Sequence, residues 1–224
     1  METKMMNAID QVNEWMWVGG DPLYASDLQA DLELIVREKL VVIDCRSADE
    51  DNNDGWASLV NVDRVSGNLH DDGDNDNDIE DFQRIADEIA DYVADGRKFL
   101  VHCHMGVNRG PSVALMMLVA SGMDPEKAFM ALRHARPACG VAYGIPAVSA
   151  AIMDVISDED DAMNVIADFT AFFHTYWDEV GHKDVMAAVV ACRKNAGLKY
   201  DNFDTNAQGI AMIVANKYNE KDES

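Results

Sequence analysis

Positive charge is scarce in this sequence. Its 224 residues include 18 Lys and Arg against 41 Asp and Glu, which gives a formal net charge of −23 at pH 7. A chain without a basic surface cannot release counterions from a polyanion, so we expect neither nucleic acid nor an anionic membrane as a partner. An anionic substrate must therefore be held by a local positive pocket that acts against the field of the whole chain.

Long apolar runs and paired cysteines are also missing. The longest apolar stretches, such as Val113–Ala120, are too short to cross a bilayer. Residues 1–11 lack a basic region followed by an apolar core, so we expect no signal peptide and a cytoplasmic location. The absence of any CxxC pair is typical of reduced thiols, and the four cysteines are widely spaced, at Cys45, Cys103, Cys139 and Cys192.

What the sequence does contain is an alternation of strands and helices over residues 15–155. Apolar runs rich in β-branched residues predict buried strands at Leu40–Cys45 and Lys98–His102, and a shorter strand is predicted at Trp15–Val18. Spacing of apolar residues predicts helices at Tyr24–Lys39, Glu80–Ala94, Pro111–Ser121, Pro125–Ala135 and Ile145–Ile156. This order predicts an α/β fold with a central, mostly parallel sheet flanked by helices.

Residues 157–224 differ from the rest in pattern. An acidic run, Ser157–Asp161, precedes three predicted helices, at Ala162–Val180, Asp184–Asn195 and Thr205–Tyr218. The first of them carries a cluster of aromatic residues that includes Phe169, Phe172, Phe173 and Trp177, and such a cluster needs a partner surface in water. We therefore predict a main domain over residues 12–156 and a helical appendage over 157–224, which packs on that domain and offers a surface for a protein partner.

The most informative stretch is HCHMGVNRGPS, residues 102–112. A buried strand leads into Cys103, a turn containing glycine follows, and then come Arg109 and an apolar helix. Five residues between the cysteine and the arginine allow successive N–H groups to curl toward one point, to which the helix adds its positive end. We expect a thiol there to have a pKa lowered to about 3.5–7.5. Because the Arg109 fork matches two phosphate oxygens, the pattern predicts thiolate attack on a bound phosphate.

The arrangement His-Cys-x5-Arg resembles the signature of cysteine-dependent protein phosphatases, and its surroundings resemble the dual-specificity branch. Trp17–Gly20 is similar to the opening strand and turn of that branch, and Arg133–Pro137 is similar to its late helix end. The likeness spans the predicted main domain. It implies a phosphomonoester hydrolase that needs no metal or other cofactor and acts on a phosphorylated substrate, which we expect to be a phosphoprotein.

The same resemblance implies roles for individual residues. Cys103 is the nucleophile that becomes a phosphocysteine, Arg109 binds the phosphate and the transition state, and His102 supports the cysteine through a hydrogen bond to the loop backbone. The phosphate oxygens are bound by the backbone amides of His104, Met105, Gly106, Val107, Asn108 and Arg109.

A general acid is implied about thirty residues before the cysteine, where it protonates the leaving oxygen. The sequence there is HDDGDNDND, residues 70–78, and the spacing favours Asp72, with Asp71 and then Asp74 as substitutes. Four of these acids alternate as in a calcium-binding loop. We nevertheless expect no metal site, because the sixth position is Asn77 and the twelfth is Gln83.

One position departs from the family pattern. Gly110 stands where the family has a Ser or Thr whose hydroxyl donates to the cysteine sulfur, and Ser112 or a water could replace that donor. This departure leaves a second hypothesis open, a pseudophosphatase that binds phosphate without turnover.

A third hypothesis is a rhodanese-like sulfurtransferase, because the stretch Asp44–Ser47 resembles the opening of rhodanese domains. The rhodanese loop, however, usually has four residues between its cysteine and arginine. Cys45 could also serve as a resolving thiol for Cys103, although a buried strand residue is the favoured interpretation. Cys139 and Cys192 are interpreted as structural.

Overall fold

The computed structural model describes residues 8–25, 27–48, 56, 62–71, 77–181, 185 and 187. Within them, five strands form one sheet of order β1-β2-β5-β3-β4. β1 pairs antiparallel with β2, and the other three pairings are parallel, which confirms the predicted mostly parallel sheet. The strands are β1 Ile9–Gln11, β2 Met16–Gly19, β3 Val41–Asp44, β4 Arg64–Ser66 and β5 Phe99–His102.

Helices flank this sheet, as the sequence predicts. In the described ranges the α-helices are α1 Leu28–Glu38, α2 Ile79–Ala94, α3 Arg109–Ala120, α4 Pro125–Ala135, α5 Gly144–Val155 and α6 Glu159–Tyr176. The first helix begins later than predicted, because Tyr24 belongs to a short 3-10 turn and Asp27 caps α1 by accepting a hydrogen bond from the amide of Ala30. None of the described helices combines the length and apolar character needed to cross a membrane.

The C-terminal helix α6 packs on the domain through aromatic rings. Phe129 of α4 lies 5.5 Å from Phe173, 4.9 Å from Tyr176 and 6.2 Å from Trp177, measured between ring centroids. Such edge-to-face contacts stabilise beyond the burial of their area. The predicted packing of the first helix after residue 157 on the main domain is thereby confirmed. Apart from residues 185 and 187, the two further predicted helices lie outside the described residues, and the division at residue 156 stays a prediction.

The carboxyl ends of the three central strands meet at one edge of the sheet. Gly19 of β2 and Asp44 of β3 both pair with His102 of β5, so the segments after these three strands begin side by side. In open parallel sheets this edge is where ligands bind. The predicted site residues that follow β5 lie here.

Candidate active site

Residues 103–108, which we call the thiol loop, join β5 to the N-terminus of α3. Cys103 begins the loop and Arg109 begins the helix, and their exposed fractions are only 2% and 1%. The backbone N–H groups of Gly106 and Gly110 are directed at the Cys103 sulfur, where they favour the thiolate. The structure thus brings the predicted nucleophile and the predicted phosphate-binding guanidinium to one buried point.

Five successive carbonyl groups of the thiol loop accept hydrogen bonds from residues outside the loop. A trans peptide directs its C=O and N–H groups in opposite directions, so these bonds turn the amides of residues 105–109 toward the inner side. The carbonyl of His104 accepts from the Asp21 N–H at 2.9 Å, and those of Met105 and Gly106 accept from the Arg136 guanidinium at 3.0 and 2.9 Å. The carbonyl of Val107 accepts from the Gly140 N–H at 2.7 Å, and that of Asn108 accepts from the Ser112 hydroxyl at 2.8 Å.

The loop also lies tightly against the end of β2. Gly106 has a φ of +66°, and a Cβ atom there would come within 2.4 Å of the carbonyl carbon and oxygen of Gly19. The glycine in the motif is therefore required both by the left-handed backbone and by the close approach of a neighbouring strand.

The expected lowering of the Cys103 pKa is wrong for this structure. Burial of the sulfur is the largest influence and raises its pKa, and the guanidinium of Arg109 and the amides of Gly106 and Gly110 act in the opposite direction without outweighing it. The carboxylate of Asp71 adds to the rise. The sequence pattern identifies the groups that favour a thiolate, but it contains no measure of how deeply the sulfur is buried.

Asp71 is the one of the three candidate acids that lies in the described part of the chain. Its carboxylate is 3.5 Å from the guanidinium of Arg109 and accepts a hydrogen bond from the Tyr143 hydroxyl at 3.4 Å. Its side chain is 34% exposed, so the carboxyl borders both the pocket and the solvent. Asp72 and Asp74 lie outside the described residues, and the choice of Asp72 stays a prediction.

The prediction that His102 hydrogen-bonds to the loop backbone is wrong. Its ring is fully buried, and neither nitrogen has a hydrogen-bond partner among the described residues. Nδ1 lies 3.5 Å from the carboxylate of Asp21, and Nε2 lies 3.7 Å from that of Asp44. The two ring nitrogens thus lie nearest to these two carboxylates.

Sequence reasoning missed the charged residues around that ring. Arg46 donates to both carboxylate oxygens of Asp44, at 2.9 and 2.7 Å, and lies 3.5 Å from Asp21. Burial raises the pKa values of both carboxyls, but the neighbouring imidazole and guanidinium groups overcome that rise and leave the pKa below its ordinary range. The sequence signal for this charged cluster is the Asp-x-Arg spacing at the end of β3, which is interpreted only as a resemblance to rhodanese domains.

His104 lies at the rim of the site. Its Nδ1 is 2.7 Å from the carboxylate of Asp21, its Nε2 is 3.4 Å from the hydroxyl of Tyr24, and its side chain is 48% exposed. A side chain so fixed presents one edge of the ring to any molecule that enters the pocket.

At the start of α3, Gly110 occupies the position where the resembled family has a hydroxyl residue. Ser112 donates its hydroxyl to the carbonyl of Asn108, so the idea that it replaces the donor to Cys103 is wrong. A Cβ at Gly110 would lie 3.0 Å from the carbonyl carbon of His102 and 3.1 Å from the backbone nitrogen of Cys103. The helix thus packs so closely on the strand end that a side chain at position 110 requires small backbone shifts.

The other cysteines have no disulfide partners among the described residues. Cys45 is buried beside the loop, and its N–H donates to the carbonyl of His102 at 2.7 Å. Cys139 is also buried, and burial raises its pKa to about 12. Burial raises the pKa of Cys45 as well, in keeping with its interpretation as a strand residue. Cys192 lies outside the described residues.

Potential metal ligands do not cluster in the part of the chain that the structure describes, where no group of three or more His, Cys, Asp or Glu side chains could hold an ion. Of the alternating acids before α2, only Asp78 is described, and it caps that helix together with Asp81. The calcium-loop interpretation otherwise falls outside the described residues.

Comparison with known proteins gives structural matches only. No family model and no curated protein matches the chain. Tk-PTP in its active form is 20% identical, with 74% of this chain and 97% of that chain covered and a TM-score of 0.47. Human DUSP28 is 15% identical, with 75% and 97% covered and a TM-score of 0.48.

A mouse putative dual specificity phosphatase, solved with zinc tungstate, is 15% identical, with 80% and 94% covered and a TM-score of 0.46. A human tyrosine phosphatase-like serine/threonine/tyrosine-interacting protein also matches, at 15% identity, so the similar solved structures include phosphatases and a phosphatase-like protein. This likeness is too remote to carry a conclusion about activity, which depends on the geometry of the site itself.

Proposed function

We propose that the protein is a phosphomonoester hydrolase that acts through a phosphocysteine on Cys103. One observation carries the proposal: the outward bonding of five successive loop carbonyls turns the amides toward the point where Cys103 and Arg109 meet. Inward amides, a buried guanidinium and a helix N-terminus together fit a tetrahedral dianion. Among the described residues, the strong nucleophile at that point is the Cys103 sulfur.

Two displacements complete the reaction. The thiolate of Cys103 attacks phosphorus, so an S–P bond forms, the ester P–O bond breaks, and the leaving oxygen takes a proton from a carboxylic acid. Water then attacks the phosphocysteine and gives its proton to the resulting carboxylate, the S–P bond breaks, and the thiolate returns. Throughout, Arg109 and the loop amides hold the non-bridging oxygens, whose charge they stabilise in the transition state.

Two features of the site affect how a phosphate substrate binds and reacts: the burial of the Cys103 sulfur and the contact between Asp71 and Arg109. Because burial raises the pKa of Cys103, its thiolate forms only at a higher pH than that of an ordinary thiol. The carboxylate of Asp71 pairs with Arg109, so an arriving phosphate competes with it for the guanidinium.

We propose a phosphoprotein substrate, since His104 and Asp71 are partly exposed at the rim and the overall charge of −23 disfavours long polyanions.

Hydrolysis of para-nitrophenyl phosphate, followed by acid quenching and mass spectrometry, tests the proposal. We expect nitrophenolate release that persists in EDTA and a phosphoryl group on the peptide that contains Cys103. The absence of both, in protein shown to be folded, would overturn the proposed function.

A phosphate-binding protein without turnover is the second candidate. It is favoured by the missing hydroxyl at Gly110 and by the raised pKa of the nucleophile. Inorganic phosphate that raises the melting temperature of a protein with no hydrolytic activity would support this candidate. The rhodanese-like alternative would appear as sulfur transfer from thiosulfate to cyanide.

The spacing favours Asp72, but we propose its first substitute, Asp71, as the general acid, because the Asp71 carboxylate lies 3.5 Å from the Arg109 guanidinium. Replacing Asp71 with Asn should lower kcat/KM for an alkyl phosphate by at least about 10²-fold, and by much less for para-nitrophenyl phosphate, whose leaving group needs no proton. Asp72→Asn is the matched variant, and we expect it to stay within about threefold of the wild type. If Asp72→Asn alone shows the dependence on leaving group, the spacing argument identifies the acid and Asp71 only contacts Arg109.

Breakdown of the phosphocysteine should limit turnover, because Gly110 supplies no hydroxyl to the departing sulfur. Rapid mixing with para-nitrophenyl phosphate should then show a burst of nitrophenolate of about one equivalent. Ala and Ser at position 110 introduce the same Cβ crowding against His102 and Cys103, so their difference isolates the hydroxyl. We expect Gly110→Ser to exceed Gly110→Ala in steady rate, with similar bursts. Equal steady rates, or a wild type without a burst, would contradict this assignment.

A further inference from the structure

The thiol loop is held from behind by one buried side chain. We propose that Arg136 is a positioning residue that orients the phosphate-binding amides of Gly106 and Val107, and that Asp10 of β1 holds Arg136 in place for this task. The proposal rests on the proposed function only in assuming that phosphate binds at the thiol loop.

Three bonds define the arrangement. Arg136, the residue that ends α4, is fully buried, and its Nε and Nη2 atoms donate to the carbonyls of Gly106 and Met105 at 2.9 and 3.0 Å. Its Nη1 donates to the carboxylate of Asp10 at 2.8 Å. A planar guanidinium can satisfy all three acceptors at fixed angles, whereas an ammonium group cannot.

The geometry of the peptide group converts these bonds into amide orientation. The carbonyl of Met105 belongs to the same peptide as the N–H of Gly106, and the carbonyl of Gly106 belongs to the same peptide as the N–H of Val107. Because C=O and N–H point in opposite directions in a trans peptide, drawing both carbonyls toward Arg136 turns both N–H groups toward the pocket. The Gly106 N–H is in fact directed at the Cys103 sulfur.

These two peptides are the part of the loop that most needs an external support. The carbonyls of His104 and Val107 are bonded by backbone amides, and that of Asn108 by the first turn of α3, whereas those of Met105 and Gly106 are bonded by a side chain. Gly106, at φ +66°, has no Cβ to limit the rotation of its peptides, so their orientation depends on these bonds and on the contact with Gly19.

Asp10 supplies the balancing charge. It is 4% exposed on β1, where it pairs in register with Val18 of β2. A guanidinium buried without a carboxylate costs several kcal/mol, so Asp10 is needed to keep Arg136 ionised and buried. The edge strand β1 thereby acts on the loop through Arg136.

The test compares two buried arginines of the same helix end. Arg136→Lys keeps the charge beside Asp10 but loses the two-carbonyl bridge, and we expect phosphate to bind at least ~10-fold more weakly, measured by calorimetry. Arg133→Lys is the matched control. Arg133 is 8% exposed, and its guanidinium donates to the Tyr176 hydroxyl and to the carbonyls of Pro137 and Cys139, none of them in the thiol loop. The Cys139 carbonyl shares its peptide with the Gly140 N–H that donates to Val107, but Val107 also accepts from the Val141 N–H, so this indirect connection to the loop is duplicated. The control variant should lower the melting temperature and leave phosphate affinity within about twofold.

A second readout does not depend on phosphate binding. Since the Gly106 amide favours the thiolate, Arg136→Lys should move the pH midpoint of Cys103 alkylation by iodoacetamide upward, and Arg133→Lys should leave it in place. Asp10→Asn should shift both readouts in the same direction as Arg136→Lys and serves if that variant does not fold.

Every outcome of these measurements either supports or overturns the proposed role of Arg136. A folded Arg136→Lys protein with the phosphate affinity and alkylation midpoint of the wild type would overturn the proposal, as would a failure of both Arg136→Lys and Asp10→Asn to fold. A wild type that binds phosphate without hydrolysing para-nitrophenyl phosphate would instead overturn the proposed function alone. If the wild type binds no phosphate, the proposal is overturned as a statement about phosphate binding, and the alkylation midpoint still shows whether Arg136 orients the amides.

Discussion

Hydrolysis of para-nitrophenyl phosphate should fall by at least about 10⁴-fold when Cys103 is replaced with Ser, because an alcohol at this position is hardly ionised and is a far weaker nucleophile than a thiolate. The substitution exchanges one atom in a position that is 2% exposed, so the surrounding packing is nearly unchanged. The measurement is steady-state turnover, with the melting temperature recorded to show that the variant is folded.

Phosphate binding gives the complementary half of this prediction. The loop amides and Arg109 are intact in Cys103→Ser, so inorganic phosphate should still bind with an affinity within about tenfold of the wild type. Cys139→Ser is the matched control, since Cys139 is an equally buried thiol that the mechanism does not use, and it should keep most of the activity. Substantial turnover by Cys103→Ser would contradict the covalent mechanism, and loss of turnover in Cys139→Ser as well would indicate a folding effect.

The central strands and the thiol loop could be predicted because their determinants are local in the sequence. Cys103 and Arg109 are six positions apart, so a buried strand before them and an apolar helix after them suffice to bring them together. The runs in β3 and β5 are apolar at almost every position, as strands buried on both faces are. β1 and β4 were missed because each is three residues long, too short for any alternation to be seen.

The support of the loop could not be predicted because it comes from distant parts of the chain. Arg136 and Asp10 are 126 residues apart, and nothing in the local pattern of either residue indicates the other. His102 shows the same limit, since its neighbours lie at the ends of two different strands: Asp21 comes after β2, and Asp44 is the last residue of β3. The direction of the Cys103 pKa depends on the balance between burial and nearby charge, which only the packed structure supplies.

Replacing Gly106 with Ala should weaken phosphate binding by at least about 10²-fold and lower kcat/KM by more. Two causes act together. An L-residue at φ +66° is strained by roughly 1–2 kcal/mol, and the added Cβ would stand 2.4 Å from the backbone of Gly19, which is fixed in the sheet. The loop must therefore move away from β2, and the Gly106 amide leaves the Cys103 sulfur.

Gly96→Ala separates these two causes. Gly96 has nearly the same backbone conformation, with φ +65°, but a Cβ there would meet no described atom within 4 Å. It should lower the melting temperature by the cost of the strained conformation alone and leave phosphate binding and turnover unchanged. If Gly106→Ala lowers the melting temperature no more than Gly96→Ala does and keeps wild-type phosphate affinity, then the loop yields to the added methyl group without losing its amide array. In that case the contact between β2 and the thiol loop would not be what fixes the site.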